Sequence, residues 1–162
     1  MRRSDRARDL AFSLDLIDRC THGVVAISTD EGAPYCLPLS LVRVDHSLYF
    51  HCAKVGRKLD LMRKHPQVCV TFCAEGTPTY EENTGDYTTY FSSVIATGTA
   101  VEVTEDEEKI LGLRALCQRM TPEAMVGDNF QKAIESSLRV TAVWRIDLDE
   151  IVGKEKAPRH HG

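Results

Sequence analysis

The sequence has no apolar run approaching the roughly 20 residues that a membrane-spanning helix needs. Its opening Met1-Arg2-Arg3-Ser4-Asp5-Arg6 also lacks the apolar core of a secretory signal. It reads as a cytoplasmic protein with no membrane partner. Positive charge is not in excess either: 20 Lys and Arg stand against 24 Asp and Glu, a formal net charge of −4. That balance excludes a general nucleic-acid binder, which needs a cationic face. The six cysteines form no C-x-x-C pair, and Cys69 and Cys73 on one strand would stand more than about ten ångströms apart, so no metal site is expected. There is no internal repeat, low-complexity segment or inter-domain linker, and 162 residues suit one domain spanning 1–162.

The chain that remains is rich in strand signals. Residues 1–22 form an N-terminal arm that reads as helical from Ser4 to Cys20, with Leu10, Leu14, Ile17 and Cys20 on one face. Three strands follow in quick succession, Val24 to Ser28, a long Tyr35 to Val44, and Ser47 to His51, joined by polar turns as in an antiparallel meander. Val68 to Cys73 is a nearly unbroken β-type run, expected in mid-sheet and covered on both faces. Ala74 to Asp86 reads as a loop, and Tyr87 to Val103 as a long strand with a bulge or bend at Gly98. Residues 104–138 read as a helical insertion. Thr104 and Glu107 form a capping box there, ahead of a buried stripe of Ile110, Leu111, Leu113, Cys117 and Met120. Thr121-Pro122-Glu123 starts a second helix and a third carries Phe130, Ala133, Ile134 and Ser137. The last strand alternates cleanly from Val140 to Leu148, and 153–162 reads as a polar tail. The expected fold is mainly β with flanking α, a six-stranded antiparallel split barrel.

The most informative stretch runs from Tyr49 to Met62. Tyr49-Phe50-His51-Cys52-Ala53 favours a pleated surface, Gly56 permits a tight turn, and Leu59 and Met62 recur at helical spacing until His65-Pro66 stops the helix. Lys54, Arg57 and Lys58 therefore crowd one helix N-terminus. A helix start already carries unpaired N–H groups and the positive end of the macrodipole, so cations placed there call for an anion such as a phosphate. The competing reading is a solvated turn whose charges aid solubility.

The order and spacing of several short motifs resemble a known family. These are Met1-Arg2-Arg3, the run Pro34 to Ser40, Leu48 to Ala53 with Gly56-Arg57-Lys58-Leu59, His65 to Cys69, Ser93 to Ala100, and Ile151-Val152-Gly153-Lys154. Together the chain resembles the FMN-binding split-barrel proteins related to pyridoxamine 5′-phosphate oxidase, in the branch of nitroimidazole-resistance-type flavoproteins. The resemblance implies a homodimer with FMN at the subunit interface. It places Arg57 and Lys58 on the FMN phosphate beside Lys54 and Gly56. Pro38, Leu39 and Ser40 lie along the isoalloxazine ring, and His51, Cys52 and Ala53 stand beside the flavin and its ribityl chain. Ser93 stands where the oxidases carry a glutamine that bonds the cofactor; serine is shorter, so a water or backbone group would make that bond. The end of the chain from Gly153 to Arg159 does not match the oxidases' arginine-containing substrate segment, which leaves vitamin B6 oxidation unsupported.

The expected activity is that of an FMN-dependent oxidoreductase reducing a small-molecule acceptor such as a nitro or quinone compound. The alternative is a flavin- or haem-binding carrier or sensor of the same fold. No G-x-G-x-x-G motif is present, so NAD(P)H as donor would bind only transiently. His51 is either a capped strand-end side chain or a proton donor over the flavin. Trp144 suits the core or a dimer interface better than a flavin stack, Tyr87 and Tyr90 suit core packing, and Cys52 is inert unless nearby cations depress its pKa.

Overall fold

A computed structural model describes residues 3–158. In chain order the elements are β1 (Ala7–Arg8), α1 (Leu10–Arg19), β2 (Gly23–Ile27), β3 (Tyr35–Leu39), β4 (Val42–Val44), β5 (Ser47–Ala53), α2 (Arg57–Lys64), β6 (Gln67–Cys73), β7 (Thr77–Glu81), β8 (Asp86–Val103), α3 (Asp106–Met120), α4 (Asn129–Ser137) and β9 (Thr141–Lys156). The main path runs β3-β2-β6-β8-β9-β5-β4, with β1 added to β9 and β7 to β8. All pairings are antiparallel. β3 and β4 occupy opposite edges of that path, yet only Ser40-Leu41 joins them. Flat, the two edges would lie roughly 29 Å apart, whereas the link reaches at most about 11 Å. The sheet must therefore curl on itself, and the fold is an antiparallel split barrel with flanking helices.

The expected six strands become nine among the described residues. The run Tyr35 to Val44 is two strands, because the chain turns the barrel corner at the buried Leu41. The expected loop from Ala74 to Asp86 holds β7, an edge strand paired through Tyr80↔Tyr87, and Pro78 is tolerated at such an edge. Tyr87 is consequently not core: it is 88% exposed and packs on Tyr80 with ring centroids 4.9 Å apart. β9 runs on to Lys156, so the expected tail begins inside a strand, and residues 159–162 lie outside the described range.

Helix starts also differ from expectation. Asp9 caps α1 by accepting from the Phe12 N–H at 2.8 Å, which sets the phase so that Ser13, Leu16 and Ile17 are buried and Leu10 is exposed. Thr104 does not cap α3. The helix begins beyond it with Glu105 at the N-cap and no side-chain cap, and Asp106, Glu107 and Glu108 complement the dipole instead. Its buried residues are Gly112, Leu113 and Leu116, while Leu111 faces out. Pro122–Ala124 is a single 3-10 turn. β6 lies mid-sheet with Val68, Val70 and Phe72 buried, but its other face is only half covered.

Two cores follow from the alternation of β5. Leu48, Phe50 and the half-buried Cys52 point into the barrel with Trp144 and Ile146, with Leu16 and Ile17 of α1, and with Leu59 and Met62 of α2. Tyr49 points outward into a second cluster with Val103, Leu113, Ile134 and Val143, beneath α3 and α4. Trp144 is thus a core residue, 1% exposed.

A polar clasp ties α3 to the barrel. Glu108 accepts from the Tyr49 hydroxyl at 3.0 Å and from Arg145 at 2.6 Å, and Arg145 also donates to Asp147 at 2.8 Å. Burial, with the Glu108 hydrogen bond second, pushes the Tyr49 phenol up to about 12. Its unfolded value is about 10, so between about pH 10 and 12 the unfolded chain releases this proton first and gains stability. Stability from this group is complete below about pH 10 and lost by about pH 12. The denaturation midpoint is expected to fall over that window more steeply in the parent than in Tyr49→Phe, as measured by urea titrations at each pH.

Candidate functional site

α2 is fastened to the barrel by Leu59 and Met62, which fixes its N-terminus at the end of β5. The turn between them depends on Gly56 at φ +140, a conformation that L side chains rarely adopt. Gly56 is the N-cap, no side chain caps this helix, and the Gly56 carbonyl accepts from Leu59 and Asp60. The first N–H groups of α2 are left for an outside acceptor.

The cations gather there. The Arg57 guanidinium lies 5.0 Å from the Tyr35 ring centroid on β3, and 3.5 Å from the Glu31 carboxylate in the β2–β3 turn. Lys54 and Lys58 have no carboxylate partner among the described residues. The same turn is moored at the other end of α2, where Asp30 takes Lys64 and His65, and these bonds, Lys64 first, hold the Asp30 carboxyl below its usual range. Lys58 is near enough to Cys52 to favour its thiolate, but burial is the larger effect and the thiol is raised. Cys52 is thus a poor nucleophile.

His51 faces out from β5 and shares a cavity of about 270 Å³ with Ser40 at the barrel corner. Pro38 is exposed on β3 beside Val24, and Leu39 is half-buried opposite Gly23. Ala53 and Lys54 complete the path from His51 to the α2 start, both exposed. The structure therefore brings Ser40 to His51, and from there Ala53, Lys54, Gly56, Arg57 and Lys58 follow along the chain to the start of α2, with Cys52 turned the other way into the barrel and β3 reached through Arg57 and Tyr35. Ser93 lies elsewhere: it is registered against Cys73 and Lys154, whereas His51 is registered against Val143, near the opposite end of β9.

Sequence reasoning missed Glu31 and Tyr35, whose contacts to Arg57 exist only once the barrel closes. It found Phe130, Ala133, Ile134 and Ser137 as a helical stripe, but nothing local shows that this stripe walls the cavity holding His51. A second cavity of about 450 Å³, between the N-terminal arm and the β7–β8 hairpin, is lined by charges that pair with each other, Arg8 with Glu155 and Arg3 with Asp5. No group of three or more His, Cys, Asp or Glu among the described residues is placed to hold a metal, and no described helix is long and apolar enough to cross a membrane.

A family model described as pyridoxamine 5′-phosphate oxidase matches residues 10–155. No curated protein matches. Among solved structures, the chain is similar to a candidate 5-nitroimidazole antibiotic resistance protein from Bacteroides thetaiotaomicron, with TM-score 0.78, 22% identity, and coverage of 91% of this chain and 84% of that one. It is also similar to an FAD-binding protein from Mesorhizobium loti, with TM-score 0.69, 21% identity, and coverage of 94% and 98%. A third is an FAD- and haem-binding protein from Mycobacterium smegmatis, with TM-score 0.74, 19% identity, and coverage of 93% and 72%. At these identities the likeness is one of fold.

Proposed function

The chain belongs to the pyridoxamine 5′-phosphate oxidase family, and from that premise we propose that it is a homodimeric, cytoplasmic FMN-dependent oxidoreductase reducing a small-molecule acceptor such as a nitro or quinone compound. One observation carries the reading: an uncapped helix start ringed by Lys54, Arg57 and Lys58, with Gly56 leaving its approach open, since a Cβ there would meet nothing within 4 Å. These residues fit a phosphate monoester. The backbone N–H groups and the dipole favour the anion, Arg57 offers a two-pronged fork, and the lysines add point charge. Glu31 is exposed and only loosely paired with Arg57, so a phosphate displaces it at little cost.

Bound FMN supplies the electron-transfer chemistry. This chain's part is to hold the phosphate on α2, to lay Pro38, Leu39 and Ser40 along the ring, and to set His51 where it hydrogen-bonds the acceptor. Because Ser93 and His51 are far apart in one chain, a second copy is the natural source of Ser93 at the site. The sheet face available for that copy runs through Pro38, Val24, Thr71, Ile95 and Val152 in register, with Val24 43% and Ile95 52% exposed. Oxidation of a vitamin B6 phosphate is not proposed. Lys154 lies over Phe91, Glu155 pairs with Arg8, and Lys156 bonds Thr88, so the end of β9 is occupied with structural contacts.

The test is a visible spectrum and native mass of freshly purified protein, with mass analysis of the released cofactor. Two FMN per dimer are expected, followed by NAD(P)H oxidation when a nitroaromatic is added. FAD in place of FMN would overturn the choice of flavin, and no flavin uptake would overturn the reading. The third solved structure is described as binding FAD and haem, which favours a carrier as second reading; tight flavin binding without turnover would select it.

A further inference from the structure

The cavity beside His51 has walls from Leu113, Leu116 and Met120 of α3 and Phe130 and Ile134 of α4, with Ser40 and His51 supplied by the barrel. Apart from His51, no lining residue is of a type that carries charge at neutral pH, other than as a thiolate of Cys117. A cavity of about 150 Å³ is filled by benzene, so the 270 Å³ here takes a molecule of one or two rings. An anion entering it would surrender hydration with no Lys or Arg in the lining to receive it, the Arg114 guanidinium being held over the Phe130 ring and not among the lining residues, whereas a neutral ring gains about 25 cal/mol for each Å² of apolar surface it buries. The phosphate site is built the opposite way, around the cations Lys54, Arg57 and Lys58 at the start of α2.

We infer that this cavity seats the acceptor, and that it selects an uncharged aromatic compound whose nitro or carbonyl oxygen accepts a hydrogen bond from His51 or Ser40. The inference rests on the FMN reading, since Ser40 and His51 are the residues assigned to the ring end of the flavin. Leu113, Leu116, Met120, Phe130 and Ile134 set specificity through shape and dryness. The α3–α4 insertion is then the element that defines the substrate, while the barrel holds the cofactor.

Methyl 4-nitrobenzoate and 4-nitrobenzoate share ring and nitro group and differ in charge. Calorimetric titration of both into the full chain, with and without FMN, is expected to show the ester binding at least tenfold more tightly. Ala133→Trp, which fills the cavity from α4, is expected to weaken the ester at least tenfold and to leave FMN affinity within twofold. In the parent protein the ester should slow iodoacetamide labelling of Cys117, which lines the cavity, and not of the exposed Cys36. Equal binding of ester and acid, or unchanged Cys117 labelling at saturating ester, would overturn the inference even with FMN bound. Protein that takes up no FMN yet shows the ester preference and the Cys117 protection would overturn the flavin reading and uphold the seat.

Discussion

Replacing Arg57 and Lys58 together by alanine is expected to weaken FMN binding at least about a hundredfold while moving the thermal midpoint by no more than about 3 °C. Hydrogen bonds to charged groups contribute about 1.5 to 3 kcal/mol each. Two such contacts therefore give roughly 3 to 6 kcal/mol, or between a hundred- and ten-thousandfold in affinity. Stability should barely change, because Arg57 is exposed with a single loose carboxylate partner and Lys58 has none among the described residues, and surface substitutions of that kind stay within about 0.5 kcal/mol. Arg57→Lys keeps the charge and loses the fork, so it should fall between parent and double variant. Raising salt should weaken binding in the parent more than in the double variant, since the variant has fewer charges to screen. Fluorescence titration with FMN measures all three. An affinity within threefold of the parent in the double variant would place the phosphate somewhere other than the start of α2.

That prediction was legible in the sequence because every part of it is local. Gly56, the helical spacing of Leu59 and Met62, and His65-Pro66 bound α2 at Arg57–Lys64, as observed. The parts that were not legible depend on closure. Ser40-Leu41 contains no glycine, asparagine or proline to announce a break, and the strand divides there because the chain passes from one edge of the sheet to the other. β7 was hidden by Pro78 and by a polar composition that suits an edge strand as well as a loop. For the site, Lys54, Arg57 and Lys58 could be placed from spacing and the resemblance, whereas the meeting of Ser40 with His51, and of Arg57 with Tyr35 and Glu31, required the barrel itself.

The second half of β9 was missed for a different reason, and it leads to the largest expected loss of stability. Ala142, Trp144, Ile146 and Leu148 face the core in strict alternation. Then the register slips: Thr97 pairs with Glu150 but Gly98 with Leu148, leaving Asp149 as the extra residue of a bulge. After it the inward positions become Ile151 and Gly153, so an alternation scan sees the strand end at Leu148. Gly98 sits against the bulge with no room for a side chain. A Cβ there would be driven into the backbone carbonyl oxygen of Asp147 and would stand 2.9 Å from Cγ2 of Ile146. The obstacle is backbone, which cannot swing aside as a side chain tip would. Gly98→Val is therefore expected to cost about 3 kcal/mol, the upper part of the overpacking range, and so to lower the midpoint by roughly 6 to 12 °C in a chain of this size. Thr97→Val, at a half-buried position off the core face, is the control and should change it by no more than about 2 °C. Beyond the bulge, β9 carries β1 through Ala7↔Lys154 and Arg8↔Gly153. Hydrogen exchange in Gly98→Val should therefore quicken first at residues 151–156 and at 7–8, with α2 and β5 protected until global unfolding. A midpoint unchanged within 2 °C, or exchange that quickens uniformly, would mean that the bulge accommodates a side chain and does not set the register of the strand.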